Sequence, residues 1–105
     1  MSVLEQIISK RTFRPVEIKE WADVGTFTLR RLTVGDMALY RKHSAAHGMA
    51  AWLLVLLGDA TGARVAQESD LAKLEEIDRE LATRIVLEGI EYNGLNDSPD
   101  DAKKN

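Results

Sequence analysis

The feature that most constrains the fold is an apolar run in the middle of the chain, which extends from Met49 to Leu57 between Gly48 and Gly58. A membrane-spanning helix needs roughly 20 apolar residues, about twice the length of this run. A helix that is apolar on every side is usually surrounded by protein. The run therefore predicts a short buried helix at the centre of the fold, with Trp52 in the core.

The length of the chain sets the size of the domain that can form around this helix. With 105 residues there is room for one domain with one modest core. Residues 96–105 contain one Pro, three Asp and two Lys but no large apolar side chain, so burial cannot offset the entropy of ordering them. We expect a single domain over residues 1–95 and a flexible acidic tail over residues 96–105.

The N-terminal third favours a short helix followed by a β-hairpin. Ser2 is a good N-cap for a helix over residues 3–10, which would place Leu4, Ile7 and Ile8 on one face. Residues 16–21 and 26–30 then alternate approximately between apolar and polar side chains around a turn, which is typical of paired strands. Pro15 has no backbone N–H, and we therefore expect either that the first strand lies at an edge of the sheet or that Pro15 lies at the start of the strand.

Helices are predicted for most of the remaining domain. Residues 33–36 have the form of a capping box that starts a helix, and Gly48 should break or kink this helix. Ser69 is the expected N-cap of a further helix, and Asp78 either starts a new helix or continues that one. Asn93 and Gly94 form a stop signal. The expected fold class is mainly α (α+β), a helical domain with an N-terminal β-hairpin.

Charge and residue content narrow the possible chemistry. The net charge of -3 argues against nucleic-acid binding, because phosphate neutralisation needs clustered cations. The chain has no cysteine, and therefore neither a disulfide nor a thiolate metal site. No phosphate loop, nucleophile elbow or dinucleotide fingerprint is present. We expect a protein that is not an enzyme, has no cofactor and binds neither nucleic acid nor a membrane.

Two patterns resemble metal sites but lack ligands. His43 and His47 share one face of the predicted helix, yet a site needs at least one more ligand. A solvent-exposed or helix-capping role is expected for both. Residues 59–62 lack the alternating oxygen ligands and the closing Glu of an EF-hand, and they are expected to form a turn that ends the central helix.

Trp21 and Phe27 flank the predicted hairpin turn. Large aromatic side chains that are partly exposed often anchor protein interfaces. Both residues are therefore candidate partner-binding residues. Packing of the hairpin against the helices is the alternative, and it is the one that the pattern favours.

Several passages occur in an order that is characteristic of one protein family. They are residues 16–21 (VEIKEW), 25–33 (GTFTLRRLT) and 57–65 (LGDATGARV), the capped start at Ser69 and Asp70, residues 81–95 (LATRIVLEGIEYNGL), and the acidic tail ending in AKKN. In this order the chain resembles the tail assembly chaperones of long-tailed, siphovirus-type bacteriophages and prophages, over nearly its whole length.

The resemblance implies a function and a set of partners. Chaperones of this family bind the tape measure protein in the infected cell and keep it soluble. A longer form recruits tail tube subunits, and the tube then assembles around the tape measure. By resemblance, the partners are the tape measure protein, the tail tube protein and further copies of the chain itself. The expected location is the cytoplasm of the bacterial host, and not the mature virion.

Lys103 and Lys104 mark a candidate position for a programmed frameshift. Codons for Ala-Lys-Lys or Lys-Lys-Asn can form a run on which paired tRNAs slip back and pair again. Members of the family are commonly made in a short form and a frameshifted longer form. Lysine pairs are also common near chain ends, so the codons of the gene decide this point.

A small helical regulatory protein, either DNA-binding or toxin-neutralising, is the alternative function. Residues 33–57 can be arranged as a helix-turn-helix with Gly48 near the turn. The apolar second helix argues against DNA binding, because a recognition helix needs polar side chains for base edges.

Overall fold

The computed structural model describes residues 2–8 and 16–95. The helices are α1 (Val3–Ile8), α2 (Val34–His47), α3 (Met49–Leu56), α4 (Leu71–Leu74) and α5 (Arg79–Tyr92), and the strands are β1 (Val16–Glu17), β2 (Phe27–Leu29) and β3 (Leu57–Asp59). Two short 3₁₀ helices, Lys19–Trp21 and Glu68–Asp70, lie between these elements. The protein is mainly α-helical with a small antiparallel sheet, as the sequence predicted.

The core is built around α3. Six of its eight residues are buried, and α2, α4 and α5 all pack against it. The prediction of a central apolar helix is confirmed. Trp52 differs from the expectation, because it is only partly buried. Its ring stacks on that of Tyr40 with 3.8 Å between the centroids, which places Trp52 at the rim of the core.

The predicted hairpin is present, with a shorter first strand than expected. β1 pairs antiparallel with β2 and lies at the edge of the sheet, with Val16 opposite Leu29. The Ile18 N–H still donates to the Phe27 carbonyl at 2.8 Å. The chain then forms the 3₁₀ helix at Lys19–Trp21, in which the carbonyl groups of Lys19 and Trp21 accept from backbone N–H groups of the turn that leads to β2.

The third strand was not predicted. Residues Leu57–Asp59 leave α3 and pair antiparallel with β2, with Gly58 opposite Thr28. The turn after Asp59 leads from β3 to Arg64, which forms an antiparallel β-bridge with Gly58. This turn therefore follows a strand and does not end the central helix. A Cβ atom at Gly58 would lie 2.7 Å from Cγ of Arg30, so a glycine is needed where that side chain crosses the strand.

Arg30 connects the sheet to α2 and α3. Its Nη1 donates to the Val55 carbonyl at 2.7 Å and lies 3.1 Å from Oδ1 of Asp36. Its Nε donates to the Gly62 carbonyl at 3.0 Å. Both charged side chains are largely buried. A buried charge is tolerated when it is paired and hydrogen-bonded, and this geometry meets both conditions.

Asp36 also belongs to the predicted capping box, which the structure confirms. The Thr33 N–H donates to Oδ2 of Asp36 at 2.9 Å, and the Asp36 N–H donates to Oγ1 of Thr33 at 3.1 Å. Burial raises the pKa of Asp36, but the hydrogen bonds from Thr33 and Arg30 outweigh burial and hold this pKa below its ordinary value of 3.8.

The remaining helix boundaries are partly as predicted. Asp78 starts a new helix, because its side chain accepts from the Leu81 N–H at 3.1 Å. The prediction that Ser69 caps a helix is wrong. Gln67 and Asp70 form the capping box instead, and a 3₁₀ helix precedes α4. Gly94 has a φ of 71° and follows α5, in agreement with the predicted stop.

Asn93 fixes the C-terminal end of α5 to the connection between β2 and α2. Its Oδ1 accepts from the Leu32 N–H at 2.7 Å. Its Nδ2 donates to the carbonyl oxygens of Arg30 and Gly89 at 3.1 and 2.8 Å. The Asn93 side chain thus forms hydrogen bonds with three backbone groups, two of which lie in the connection between β2 and α2.

Gly48 ends α2 with φ 54° and ψ -118°, as the sequence predicted. Residues with a Cβ atom rarely adopt this conformation, so Gly48→Ala should lower the free energy of unfolding by about 1–3 kcal/mol. Gly35→Ala is the matched control, because a Cβ atom there comes no closer than 3.8 Å to another side chain. Urea denaturation of both variants tests the prediction. Equal stabilities would contradict it.

Candidate partner-binding surface

α1 is a short, well-capped helix with exposed apolar side chains. The Glu5 N–H donates to Oγ of Ser2 at 3.0 Å, and the Ser2 N–H donates to Oε1 of Glu5 at 3.1 Å, which confirms the predicted cap. Val3, Leu4 and Ile7 are 71%, 65% and 63% exposed. Isolated helices shorter than about 12–15 residues are marginally stable in water. A helix of six residues with such a surface is suited to packing against a partner.

α5 presents a second exposed surface on the side that faces away from α3. Its inner side is formed by Ala82, Ile85, Val86 and Gly89, which are buried. Leu87 points outward and is 61% exposed. It lies in a groove of about 410 Å³ that is lined by residues between Arg79 and Glu91. We call this groove, with the side chains that line it, the outer face of α5.

A neighbouring groove of about 470 Å³ lies between β1 and the C-terminal half of α5. It shares Arg84, Glu88 and Glu91 with the outer face of α5, so the two grooves are continuous. Arg84 forms an ion pair with Glu20. Glu17 of β1 lines the same groove. Carboxylates therefore dominate the end of the surface that is closest to β1.

Trp21 and Phe27, the residues predicted to bind a partner, lie next to each other. Their ring centroids are 6.1 Å apart and the ring planes are almost perpendicular, at 89°, a favourable aromatic arrangement. Both rings are partly buried and pack against the core. The structure thus gives each ring a packing role within the hairpin, and their use as partner anchors stays a prediction.

His43 and His47 face carboxylates on the segment around α4. Nε2 of His43 lies 2.7 Å from Oε1 of Glu68, which also accepts from Nζ of Lys42 at 3.2 Å. Nδ1 of His47 lies 2.9 Å from Oε2 of Glu75. The hydrogen bond from His43, followed by that from Lys42, lowers the pKa of Glu68. The histidines connect α2 to this segment instead of capping the helix.

The loop after β3 uses its only carboxylate within the turn. Oδ1 of Asp59 accepts from the Thr61 hydroxyl at 2.6 Å and from the Thr61 and Ala63 N–H groups at 2.8 and 3.0 Å. These hydrogen bonds, led by that of the Thr61 hydroxyl, lower the pKa of Asp59. Across residues 2–8 and 16–95, no three His, Asp or Glu side chains converge on a position that could hold a metal ion.

The position of α3 bears on the alternative helix-turn-helix interpretation of α2 and α3. A recognition helix places exposed polar side chains against base edges. Six of the eight residues of α3 are buried instead. α3 therefore has no face with which to contact DNA.

Comparisons with protein-family models, curated proteins and solved structures gave no match to this chain. Within the two described ranges, no helix has both the length and the apolar character that are required to cross a membrane. The candidate frameshift position at Lys103 and Lys104, and the predicted acidic tail that contains it, lie outside the described residues.

Sequence reasoning missed both of these exposed apolar features. The spacing of Leu4 and Ile7 indicated an apolar face on α1, but not that this face would remain uncovered. Leu87 lies outside the two buried stripes of α5, which pass through residues 81–85 and 82–86–90. An apolar residue that is off the stripe of an amphipathic helix was the signal that could have identified this surface.

Proposed function

We propose that this protein is a tail assembly chaperone that binds the tape measure protein of a long-tailed phage and keeps it soluble while the tail tube assembles around it. The observation that supports the proposal best is the apolar face of α1, where Val3, Leu4 and Ile7 are mostly exposed. The order of the sequence passages described above supports the same family.

The exposed face of α1 has the chemistry that this task requires. A tape measure protein is expected to be long, helical and apolar on one face, and therefore prone to aggregate. Short amphipathic helices bind such surfaces by laying their apolar residues into a groove. Covering the apolar face of the tape measure with α1 helices would remove the surface through which it aggregates.

The size of the face predicts weak binding by each copy. Full burial of one such aliphatic side chain contributes about 1.5–3 kcal/mol. Association itself costs roughly 4–15 kcal/mol in lost translational and rotational freedom. The gain from three such side chains is no larger than this cost, so a single copy should bind only weakly. Many copies along one tape measure supply retention through avidity, and weak single contacts permit displacement by the tail tube.

Co-expression with the tape measure protein tests the proposal. We expect the unmodified chain to keep the tape measure soluble and to co-purify with it. The variant Val3→Ser/Leu4→Ser/Ile7→Ser should lose most of this activity, a decrease of about tenfold or more in soluble tape measure. The matched control is Val24→Ser/Val34→Ser, which changes two exposed valines elsewhere, 74% and 88% exposed.

The control keeps the outcome interpretable. Since the changed residues of α1 are exposed, their replacement should leave the unfolding midpoint of the domain unchanged, and circular dichroism checks this. A tape measure that stays insoluble with the unmodified chain would exclude the proposed function. Equal solubilisation by the α1 variant and the control would show that another surface is used.

We further propose that a frameshifted longer form recruits the tail tube protein, with the shift near Lys103 or Lys104. The codons of the gene test this part separately. Absence of a slippery run at these positions would remove it without affecting the role of the short form.

A further inference from the structure

We infer that the outer face of α5 is a docking surface for an amphipathic partner helix whose apolar stripe is flanked by Lys and Arg. The surface consists of residues other than those of α1. The inference does not depend on the proposed function, because it concerns the chemistry of the occupant and not its identity.

The apolar part of this surface is centred on Leu87. Single exposed leucines are common on protein surfaces and need no partner. Leu87 differs because the shallow groove in which it lies, whose lining residues all belong to α5, runs along a helix of 14 residues. This groove continues into the one beside β1, where Val16 and Leu29 add further apolar lining. A groove with an apolar lining along an exposed helix fits a second helix that inserts its own apolar side chains.

The charged part of the surface identifies the complementary partner. Glu80 and Glu88 line the groove on either side of Leu87 in the sequence, and Glu91 lies one turn further along. The two grooves together are lined by five carboxylates and three cations, which include Arg79 and Lys19. Arg84 is already paired with Glu20. In packed helix pairs, the charges beside an apolar seam select partners of opposite charge. A partner helix with Lys or Arg beside its apolar stripe therefore fits, whereas an acidic helix is repelled.

The same charges argue against a second copy of the chain as the occupant. A parallel two-fold contact between two α5 helices would place Glu88 and Glu91 of one copy beside the same carboxylates of the other. Like charges at an interface are destabilising. A stable dimer also buries about 800 Å² on each partner, more than one face of a short helix offers.

Two synthetic peptides with the same apolar stripe test the inference on the full chain. One carries Lys and the other Glu at the positions that flank a Leu stripe, and binding is followed by fluorescence anisotropy. We expect the Lys peptide to bind about tenfold or more tightly than the Glu peptide at low salt, and the difference to shrink as salt screens the charges.

Variants then locate the binding site. Leu87→Ser should weaken binding of the Lys peptide by about tenfold, as expected for the loss of a central anchor. Glu88→Gln/Glu91→Gln should reduce the preference for the Lys peptide over the Glu peptide by about threefold to tenfold. The matched control is Glu76→Gln, because Glu76 is exposed but does not line either groove. These substitutions are at the surface, and circular dichroism verifies the fold.

Three results would overturn the inference. The first is equal affinity for the two peptides. The second is binding that is unchanged by Leu87→Ser but lost in the α1 variant, which would assign the peptide to α1. The third is concentration-dependent self-association that Leu87→Ser abolishes, since a second copy would then cover this face.

Discussion

Replacement of Leu56 by Ala should lower the free energy of unfolding by about 2–5 kcal/mol, the range that is typical when a buried leucine leaves a cavity. Leu56 is completely buried in α3, and its side chain packs closely against Gly89 of α5. A chain of this length has a total stability of only about 5–15 kcal/mol. The change therefore removes a large part of the margin that keeps the domain folded.

The contact with Gly89 makes this prediction more specific. A Cβ atom at Gly89 would lie 2.7 Å from both Cδ atoms of Leu56. Gly89→Ala alone should therefore destabilise the domain by about 1–3 kcal/mol through overpacking, although alanine is the better helix former by about 1 kcal/mol. In the double variant the clashing atoms are absent, and the new methyl group fills part of the cavity.

Denaturation with urea of the two single variants and the double variant measures the coupling. We expect the double variant to be more stable than the sum of the single effects predicts, by about 1–2 kcal/mol. Gly35→Ala combined with Leu56→Ala serves as the control pair, for which the effects should add. Additive effects at Leu56 and Gly89 would mean that α5 moves away from α3 and relieves the contact.

Asp36→Ala is expected to have the second-largest effect, about 3 kcal/mol. Removal of one member of a largely buried ion pair leaves the charge of the other uncompensated, here that of Arg30. The substitution also removes the side-chain half of the capping box at Thr33, a contribution of about 1 kcal/mol. Asp36→Asn is the matched variant, because it keeps a side-chain oxygen for the cap but has no charge. It should cost less than Asp36→Ala.

The pH dependence of stability separates the charge of Asp36 from its hydrogen bonds. Since the pKa of Asp36 is lowered in the folded protein, the ionised carboxylate stabilises the fold fully above its ordinary pKa of 3.8. This contribution is lost as the pH falls through 3.8 toward the lower folded pKa. Urea midpoints measured from about pH 6 down to about pH 3 should therefore fall less in Asp36→Asn than in the unmodified chain. Parallel curves would contradict the assigned role of the charge.

The parts of the fold that the sequence predicted are those with local causes. The central helix followed from an apolar run with a glycine at each end, and the start of α2 followed from the spacing of Thr33 and Asp36. β3 had no such signal, because Leu57 simply continues the apolar run. Its extended conformation depends on pairing with β2 and on the passage of Arg30 over Gly58, which are contacts between residues far apart in the sequence.

The candidate surface was less predictable for a related reason. Periodicity states which side chains share a face, but burial depends on whether another element covers that face. Leu4 and Ile7 fit the pattern of a packed helix and are nevertheless exposed. Trp21 and Phe27 fit the pattern of interface residues, and each finds an aromatic neighbour within the hairpin. In both cases the outcome is decided by the tertiary arrangement.

The hydrogen bonds of Asn93 have a consequence for how the protein folds during its synthesis. Leu32 and Arg30 precede Asn93 by 61 and 63 positions, so the ribosome must translate nearly all of the domain before these bonds can form. Until the last helix emerges, the nascent chain has α3 exposed on one side, with apolar residues open to unwanted association. Folding of this domain should therefore be completed late, in a single step that follows the release of α5 from the exit tunnel.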